Sequence, residues 1–356
     1  MLENIVARLR KKEIIRSVVA FVMLSIVSLA FAGCSSNDKV TSSQQNAKDS
    51  SSAKQGERIL KIGSPSSGSP FPGDLLGIAL EKGFLHEELA KIGVKEEHIP
   101  FTGQGPAVNE ALASKNIDIA VYADMPAMIA KSRGLDISVV AANNTAFAIG
   151  IIVKKDSPIN SIQDLKGKKI AVAKGAIAHR FLIEALKGNN LSVNDVQIVN
   201  MTTDAESALI SGDVDAWVGT GTMVALLTID KKITKIIAES KSHTDWAGLF
   251  ITVARTDYAK ENADIISAYI KSLIRAKDFI KQNKDEAYGI WTKASITVES
   301  AKYINDRDDL FEVSITDQSI SKLNDTKKFL LNEKLIQKDF DTATWIDKKF
   351  YEQAIR

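Results

Sequence analysis

The chain has 356 residues, and its 46 Lys and Arg against 44 Asp and Glu give a formal net charge of +2. A balance this even provides no basic surface of the kind that nucleic-acid-binding proteins carry, so we expect no nucleic-acid partner. The single cysteine excludes an intrachain disulfide, and the fold must therefore depend on its hydrophobic core. A chain of this length is longer than one typical domain and predicts two lobes.

The first 33 residues are typical of an export signal. Basic residues up to Arg16 precede an apolar run from Val18 to Ala32, which is shorter than the roughly 20 residues of a membrane span. The run ends at Phe31-Ala32-Gly33-Cys34, which resembles the bacterial lipobox. That resemblance implies cleavage before Cys34 and a lipid on its sulfur. The alternatives are an ordinary signal peptide and an uncleaved membrane helix with an incidental cysteine.

Residues 35–56 are almost purely polar, with Val40 as the one aliphatic side chain. Such a segment cannot bury enough apolar surface to offset the entropy of ordering, so we predict a disordered tether. A flexible linker of this length spans roughly 25 Å. It would let the following domain stand off a membrane while staying near a partner embedded there.

From Arg58 onward, short apolar runs alternate with helix-length amphipathic segments. This alternation indicates βαβ units, an α/β fold and mainly parallel sheets. After about Asp257 we predict a mostly helical region, whose helices carry Trp291 and Trp345. The predicted strands are Ile59–Ile62, Ile117–Tyr122, Ile137–Ala141, Ala148–Val153, Lys169–Ala173, Val196–Val199, Val214–Val218, Ile233–Ile237 and Leu249–Val253.

Three motifs together resemble the solute-binding proteins of ABC importers, of the aliphatic-sulfonate, nitrate and taurine type. Residues 151–172 contain DSPI…DLKGKKIAV, which resembles the segment that enters the second lobe of these proteins. Residues 109–127 are similar to their "EAL…G.IDia…d.P" signature, and Gly212–Val218 is similar to their "G.vDAw" strand. The resemblance runs from about Arg58 to Asp257.

The resemblance implies a two-lobed periplasmic-binding-protein clamshell of type II, with a helical C-terminal region. A small molecule would bind between the lobes of a monomer without a cofactor, and a membrane permease would recognise the closed form. The chain would cross between lobes near residues 143–148 and 242–248. The expected division is signal peptide 1–33, lipidated cysteine and tether 34–56, first lobe 57–145, second lobe 146–244, and first-lobe return with C-terminal helices 245–356.

Ligands of open α/β sheets lie outside the carboxyl ends of the strands and at helix N-termini. This selects four loops, at residues 64–69, 123–126, 174–177 and 217–222. In the loop at residues 123–126, we expect Asp124 to cap a helix whose N–H groups face the ligand. His179, inside the helix after the third loop, is expected to be structural. The candidate ligand-binding residues are Ser66, Ser67, Gly68, Asp124, Met125, Pro126, Gly175, Ala176, Ile177, Trp217, Thr220 and Thr222.

Two departures from the family pattern bear on the ligand. Sulfonate-type relatives usually have serine and a small polar residue where this chain has Ala176 and Ile177, so one hydroxyl donor is missing. They commonly have Trp-Asp-Pro after the strand that contains Trp217, where this chain has Gly219-Thr220-Gly221-Thr222 instead. Losing that carboxylate suits an anionic or neutral ligand. We expect an aliphatic sulfonate or a taurine-like anion, and nitrate, bicarbonate or a neutral pyrimidine are the alternatives.

Catalysis is not expected from this sequence. Residues 219–224 superficially resemble a dinucleotide fingerprint but lack its third glycine. The chain contains no HExxH, CxxC, GxSxG or Walker A pattern, and its four histidines have no metal-ligand spacing. A lipoprotein that senses a ligand without transport remains an alternative, because the same clamshell serves both tasks.

Overall fold

The structure is a computed structural model. It describes residues 58–66, 68–144, 148–244, 246–306 and 311–356. The predicted signal peptide, Cys34, the tether and Ser67 therefore lie outside the described residues. Within the described ranges, no helix has both the length and the apolar character needed to cross a membrane.

The strands of the described residues form two five-stranded sheets. The orders are β2-β1-β3-β10-β4 in the first sheet and β7-β6-β8-β5-β9 in the second. The strands are β1 (Arg58–Pro65), β2 (Val94–Phe101), β3 (Ile119–Ala123), β4 (Ile137–Asn144), β5 (Ile149–Lys154), β6 (Lys169–Val172), β7 (Gln197–Asn200), β8 (Ala216–Thr220), β9 (Thr234–Glu239) and β10 (Phe250–Arg255).

Both sheets are mixed, so the expectation of mainly parallel pairing was wrong. In the first sheet β1 pairs in parallel with β2 and β3, whereas β10 is antiparallel to β3 and β4. In the second, β6 pairs in parallel with β7 and β8, whereas β5 is antiparallel to β8 and β9. The antiparallel strand of each sheet is the one that the chain forms directly after coming from the other sheet.

The helices lie between the strands and in the C-terminal region. They are α1 (Leu75–Glu81), α2 (Phe84–Ala90), α3 (Gln104–Ala113), α4 (Asp124–Ser132), α5 (Ile177–Gly188), α6 (Ala205–Ser211), α7 (Gly221–Ala225, continued by a π-helical turn Leu226–Asp230), α8 (Thr256–Glu261), α9 (Ala263–Gln282), α10 (Lys284–Trp291), α11 (Val298–Asn305), α12 (Asp317–Asn332), α13 (Thr342–Trp345) and α14 (Lys349–Ala354).

All nine predicted strands are present within a few residues of their expected bounds. The strand that the sequence did not reveal is β2, whose VKEEHIPF sequence is too polar to stand out as an apolar run. It forms because it lies at the edge of the first sheet, where it pairs along its whole length with β1. An edge strand exposes one side to solvent and therefore accepts charged side chains.

The C-terminal helices pack onto the first sheet, as the position of their tryptophans indicates. Trp291 and Trp345 are almost fully buried. Trp291 stacks on Phe311 with ring centroids 5.5 Å apart and donates its indole N–H to the carbonyl of Asp74. The chain passes from the first sheet to the second between β4 and β5, and it returns between β9 and β10.

Candidate functional site

A cavity of about 130 Å³ lies between the two sheets, at the carboxyl ends of their strands. This is the position at which open α/β sheets bind ligands. The first sheet and its loops contribute Ser64, Pro65, Ser69, Phe71, Pro72, Gly73, Asp74, Gln104, Gly105, Ala123, Pro126 and Phe250. The second contributes Ala148, Ala176, Ile177, Thr220, Gly221 and Thr222, and helix α11 contributes Ile304 and Asn305.

Backbone N–H groups at helix N-termini supply hydrogen-bond donors to this cavity. The N-cap residues of α3 and α5, Gly103 and Ala176, make no side-chain capping bond. The N–H groups of Gly105, Ile177 and Thr222 have no hydrogen-bond partner among the described residues. Unpartnered N–H groups and the positive end of the helix dipole together favour a bound anion.

Two threonine hydroxyls add further polar groups. Thr220 and Thr222 line the cavity from the second sheet, and neither hydroxyl bonds to another described residue. Ser64 differs, because its Oγ lies 2.8 Å from Nε2 of His98. Burial lowers the pKa of His98, so this ring stays neutral and brings no positive charge to the cavity.

Asp74 is the one ionisable side chain among the described residues that line the cavity. Its Oδ1 accepts hydrogen bonds from the N–H groups of Leu76 (3.0 Å) and Gly77 (3.4 Å), which makes it the N-cap of α1. Burial raises the pKa of Asp74 to about 6, against the lowering effect of these bonds. A carboxyl in this state changes charge close to neutral pH.

The structure brings together five of the predicted ligand-binding residues. Pro126, Ala176, Ile177, Thr220 and Thr222 line the cavity, with the first from α4 and the others from the second sheet. Thr222 also faces the first sheet, since a Cβ atom built on Gly73 would lie 3.9 Å from its Oγ1.

Other predicted residues lie away from the cavity lining. The Oγ of Ser66 donates to the carbonyl of Ser69 at 2.6 Å and so stabilises its own loop. Gly68, with φ of +81°, leaves room for Met223, because a Cβ there would lie 2.6 Å from the methionine sulfur. Gly175 adopts a left-handed turn with φ of +82° and donates weakly to Nδ1 of His179. Trp217 packs on the core of the second sheet.

The capping role expected for Asp124 was wrong. The helix begins at Asp124 itself, so Ala123 is the N-cap, and it makes no side-chain capping bond. Asp124 and Met125 are fully buried. The Oδ2 atom of Asp124 accepts a hydrogen bond from Thr326 at 2.6 Å. Two positions of the first turn offer a ligand no N–H group, since Asp124 donates its own to the carbonyl of Leu249 and Pro126 has none.

Sequence reasoning missed Asp74 and Asn305. An aspartate before an apolar run predicts a helix cap, which Asp74 is, but nothing in that pattern places the capped turn in the cleft. Asn305 is the last residue of α11, and no local pattern distinguishes it from an ordinary helix end. Both positions are set by how distant elements pack.

Known proteins resemble this chain in sequence and in fold. A family model described as NMT1/THI5 like matches residues 76–287. A putative aliphatic sulfonates-binding protein of Bacillus subtilis (strain 168) is 30% identical over 338 residues, which cover 94% of this chain and 96% of that protein. The predicted resemblance to sulfonate-type binding proteins is thereby confirmed.

Solved structures share the fold. The alkanesulfonate-binding protein SsuA from Xanthomonas axonopodis pv. citri, bound to MOPS, aligns with a TM-score of 0.71 at 22% identity, over 82% of this chain and 98% of that one. The desulfurization enzyme DSZB aligns with a TM-score of 0.67 at 16% identity, over 84% of this chain and 99% of that one. The predicted periplasmic-binding-protein fold is thereby confirmed.

Proposed function

Because the chain belongs to the NMT1/THI5-like family, we propose that it is the extracytoplasmic substrate-binding component of an ABC importer. It captures a small aliphatic sulfonate in the cleft between its lobes and delivers it to a membrane permease. The Bacillus subtilis relative, matched over nearly its whole length, supports both the binding role and this ligand class.

The observation that carries the proposal is a small cavity lined by backbone N–H donors that have no partner among the described residues. The N–H groups of Ile177 and Thr222 and the hydroxyl of Thr220 can bond to sulfonate oxygens. Phe71 and Phe250 give the cavity an apolar side that suits a short alkyl chain. Its volume of about 130 Å³ is below the 300–1,000 Å³ typical of drug-sized sites, which supports a ligand of few atoms.

The proposed anchor is Cys34, carrying a lipid after removal of residues 1–33. A tether over residues 35–56 then holds the clamshell near its permease. Replacing Cys34 with alanine should release the protein from membranes, as measured by fractionation of cells expressing the full chain. Unchanged membrane partitioning would show that Cys34 is not the anchor. The lobe boundaries at 145/146 and 244/245 stay predictions.

A thermal-shift screen of the full chain tests the ligand class. The panel contains ethanesulfonate, taurine, nitrate, bicarbonate and a neutral aminopyrimidine. A ligand that binds only the folded state stabilises it by about 2.7 kcal/mol at a hundred times its dissociation constant. We expect a shift with the sulfonates. A shift with the pyrimidine alone would contradict the proposal.

Two other functions, a ligand sensor and an enzyme, are the alternatives to a transport role. The likeness to DSZB means that the fold by itself does not separate a binding protein from an enzyme. Sustained conversion of the bound molecule would contradict a transport role. Permease and ATPase genes next to this one would favour import over sensing.

A further inference from the structure

Asn305 brings an amide group to the cleft from the C-terminal part of the chain. It is the last residue of α11, only 7% of its surface is exposed, and it lines the cavity together with Ile304. The sequence motifs that define the cleft lie between residues 58 and 257, so none of them covers this position.

The Nδ2 donor of Asn305 is buried and has no hydrogen-bond partner among the residues that the structure describes. A buried donor without a partner is costly and rare in folded proteins. Each such donor therefore raises the question of which group bonds to it when the protein works. Asn305 also borders a small pocket behind α11, whose other lining side chains are Lys, Ile, Tyr, Trp and Phe. These side chains offer no carboxylate or amide oxygen, whereas the cavity that Asn305 also lines has room for a ligand.

Helix α11, which carries Asn305, is attached to elements on both sides of the cleft. On the side of the second sheet, Asp230 accepts hydrogen bonds from Thr297 N (3.1 Å) and Ser300 Oγ (2.7 Å). Tyr303 on the same helix donates to Glu239 Oε2 at 2.5 Å. On the other side, Ala301 belongs to the core of the first sheet. A donor fixed in this way loses little entropy when it binds a ligand.

Ala176, the N-cap residue of α5, lines the cavity without a hydroxyl, so its side chain provides no hydrogen-bond donor there. We propose that Asn305 supplies the missing donor: its amide N–H binds a sulfonate oxygen of the ligand and so determines which head groups the cleft accepts. The inference rests on the function proposed above and adds the residue that selects the head group.

The test replaces Asn305 with leucine, which has nearly the same volume but no donor. Affinity for ethanesulfonate is measured by calorimetry, and the melting temperature of the ligand-free protein is measured in parallel, both on the full chain in mild detergent. A hydrogen bond to a charged group predicts a loss of affinity of about 10- to 100-fold. The ligand-free melting temperature should stay equal or rise, because the variant removes an unsatisfied donor.

Lys302→Ala is the matched control, since Lys302 is an exposed residue of the same helix. It should leave the affinity unchanged. Asn305→Asp should bind ethanesulfonate more weakly than Asn305→Leu, because it places a carboxylate beside the anion.

The outcomes separate the two proposals. If wild type binds ethanesulfonate and Asn305→Leu binds it equally well, the inference is wrong and the proposed function stands. A melting temperature that falls with the affinity in both Asn305 variants would indicate a purely structural residue and would also overturn the inference. If wild type binds no sulfonate, the proposed function fails, and the inference fails with it.

Discussion

Thr326, in the middle of α12, donates a hydrogen bond of 2.6 Å to Oδ2 of Asp124, the first residue of α4. The same hydroxyl accepts from Nη1 of Arg180 on α5 at 2.5 Å. All three residues are buried. One threonine therefore joins a helix of each sheet to the C-terminal region, directly behind the cleft.

Thr326→Val should destabilise the protein, because it leaves the buried carboxylate of Asp124 and the guanidinium of Arg180 without their common partner. Valine has nearly the same shape, so the loss comes from the hydrogen bonds. We expect the free energy of unfolding to fall by about 1–3 kcal/mol in urea titration. Thr344→Val, at an exposed position on α13, should change it by less than about 0.5 kcal/mol. Equal effects in the two variants would contradict this assignment.

Gly248 approaches the same carboxylate so closely that no side chain fits. A Cβ atom there would lie 2.2 Å from Oδ1 of Asp124. Gly248→Ala should therefore shift α4 or the return to β10 and lower the melting temperature. Gly289→Ala on α10 is the control: its Cβ meets nothing within 4 Å, so it should stabilise by up to about 1 kcal/mol. Differential scanning calorimetry would measure both. An unchanged melting temperature in Gly248→Ala would contradict the close packing of Gly248 against Asp124.

Asp74 should make both the folding stability and the binding of a sulfonate depend on pH. Burial raises its pKa to about 6, so its contribution to folding stability is complete below the unfolded pKa near 4 and is lost as the pH rises through about 6. The nearby Tyr269 stays neutral because burial raises its pKa well above this range.

A sulfonate stays ionised throughout this range, and ionised Asp74 repels it. Affinity for ethanesulfonate should therefore rise about 3- to 10-fold from pH 7.5 to 5.0. Asp74→Asn should flatten this profile, and a ligand with an ammonium group should show the opposite slope. Calorimetric titration across the pH range measures all three. A profile for Asp74→Asn identical to that of wild type would show that another group titrates.

Asp230 fixes the first turn of α11 to the second sheet. The hydrogen bonds from Thr297 and Ser300 hold the pKa of Asp230 below its usual range, although burial acts in the opposite direction. Asp230→Ala removes the acceptor of the hydrogen bonds from Thr297, the N-cap of α11, and from Ser300, worth about 1 kcal/mol, so amide hydrogen exchange over residues 298–305 should accelerate about fivefold. Glu261→Ala, at an exposed position on α8, should leave exchange over the same residues unchanged. Equal exchange in the two variants would mean that Asp230 does not hold this helix.

Apolar runs and turn residues predicted nine strands and an α/β fold, because each depends on local patterning, whereas the two-lobed clamshell was implied by the family resemblance. They also predicted the loops that carry Ala176, Ile177, Thr220 and Thr222, since those loops follow strands. The capping role predicted for Asp124 was wrong because its burial beneath Thr326 depends on tertiary packing, which no local sequence pattern encodes. Asp74 and Asn305 reach the cavity for the same reason, one through an irregular loop and the other through a C-terminal helix.

Calorimetric titration of the full chain with ethanesulfonate, followed by chemical analysis of the recovered ligand, tests the central claim most directly. The account predicts saturable binding of one ethanesulfonate per chain, weakened by Thr222→Val in the cleft, and recovery of the ligand unchanged. Absence of binding, binding that is insensitive to the cleft substitution, or conversion of the ligand would contradict it.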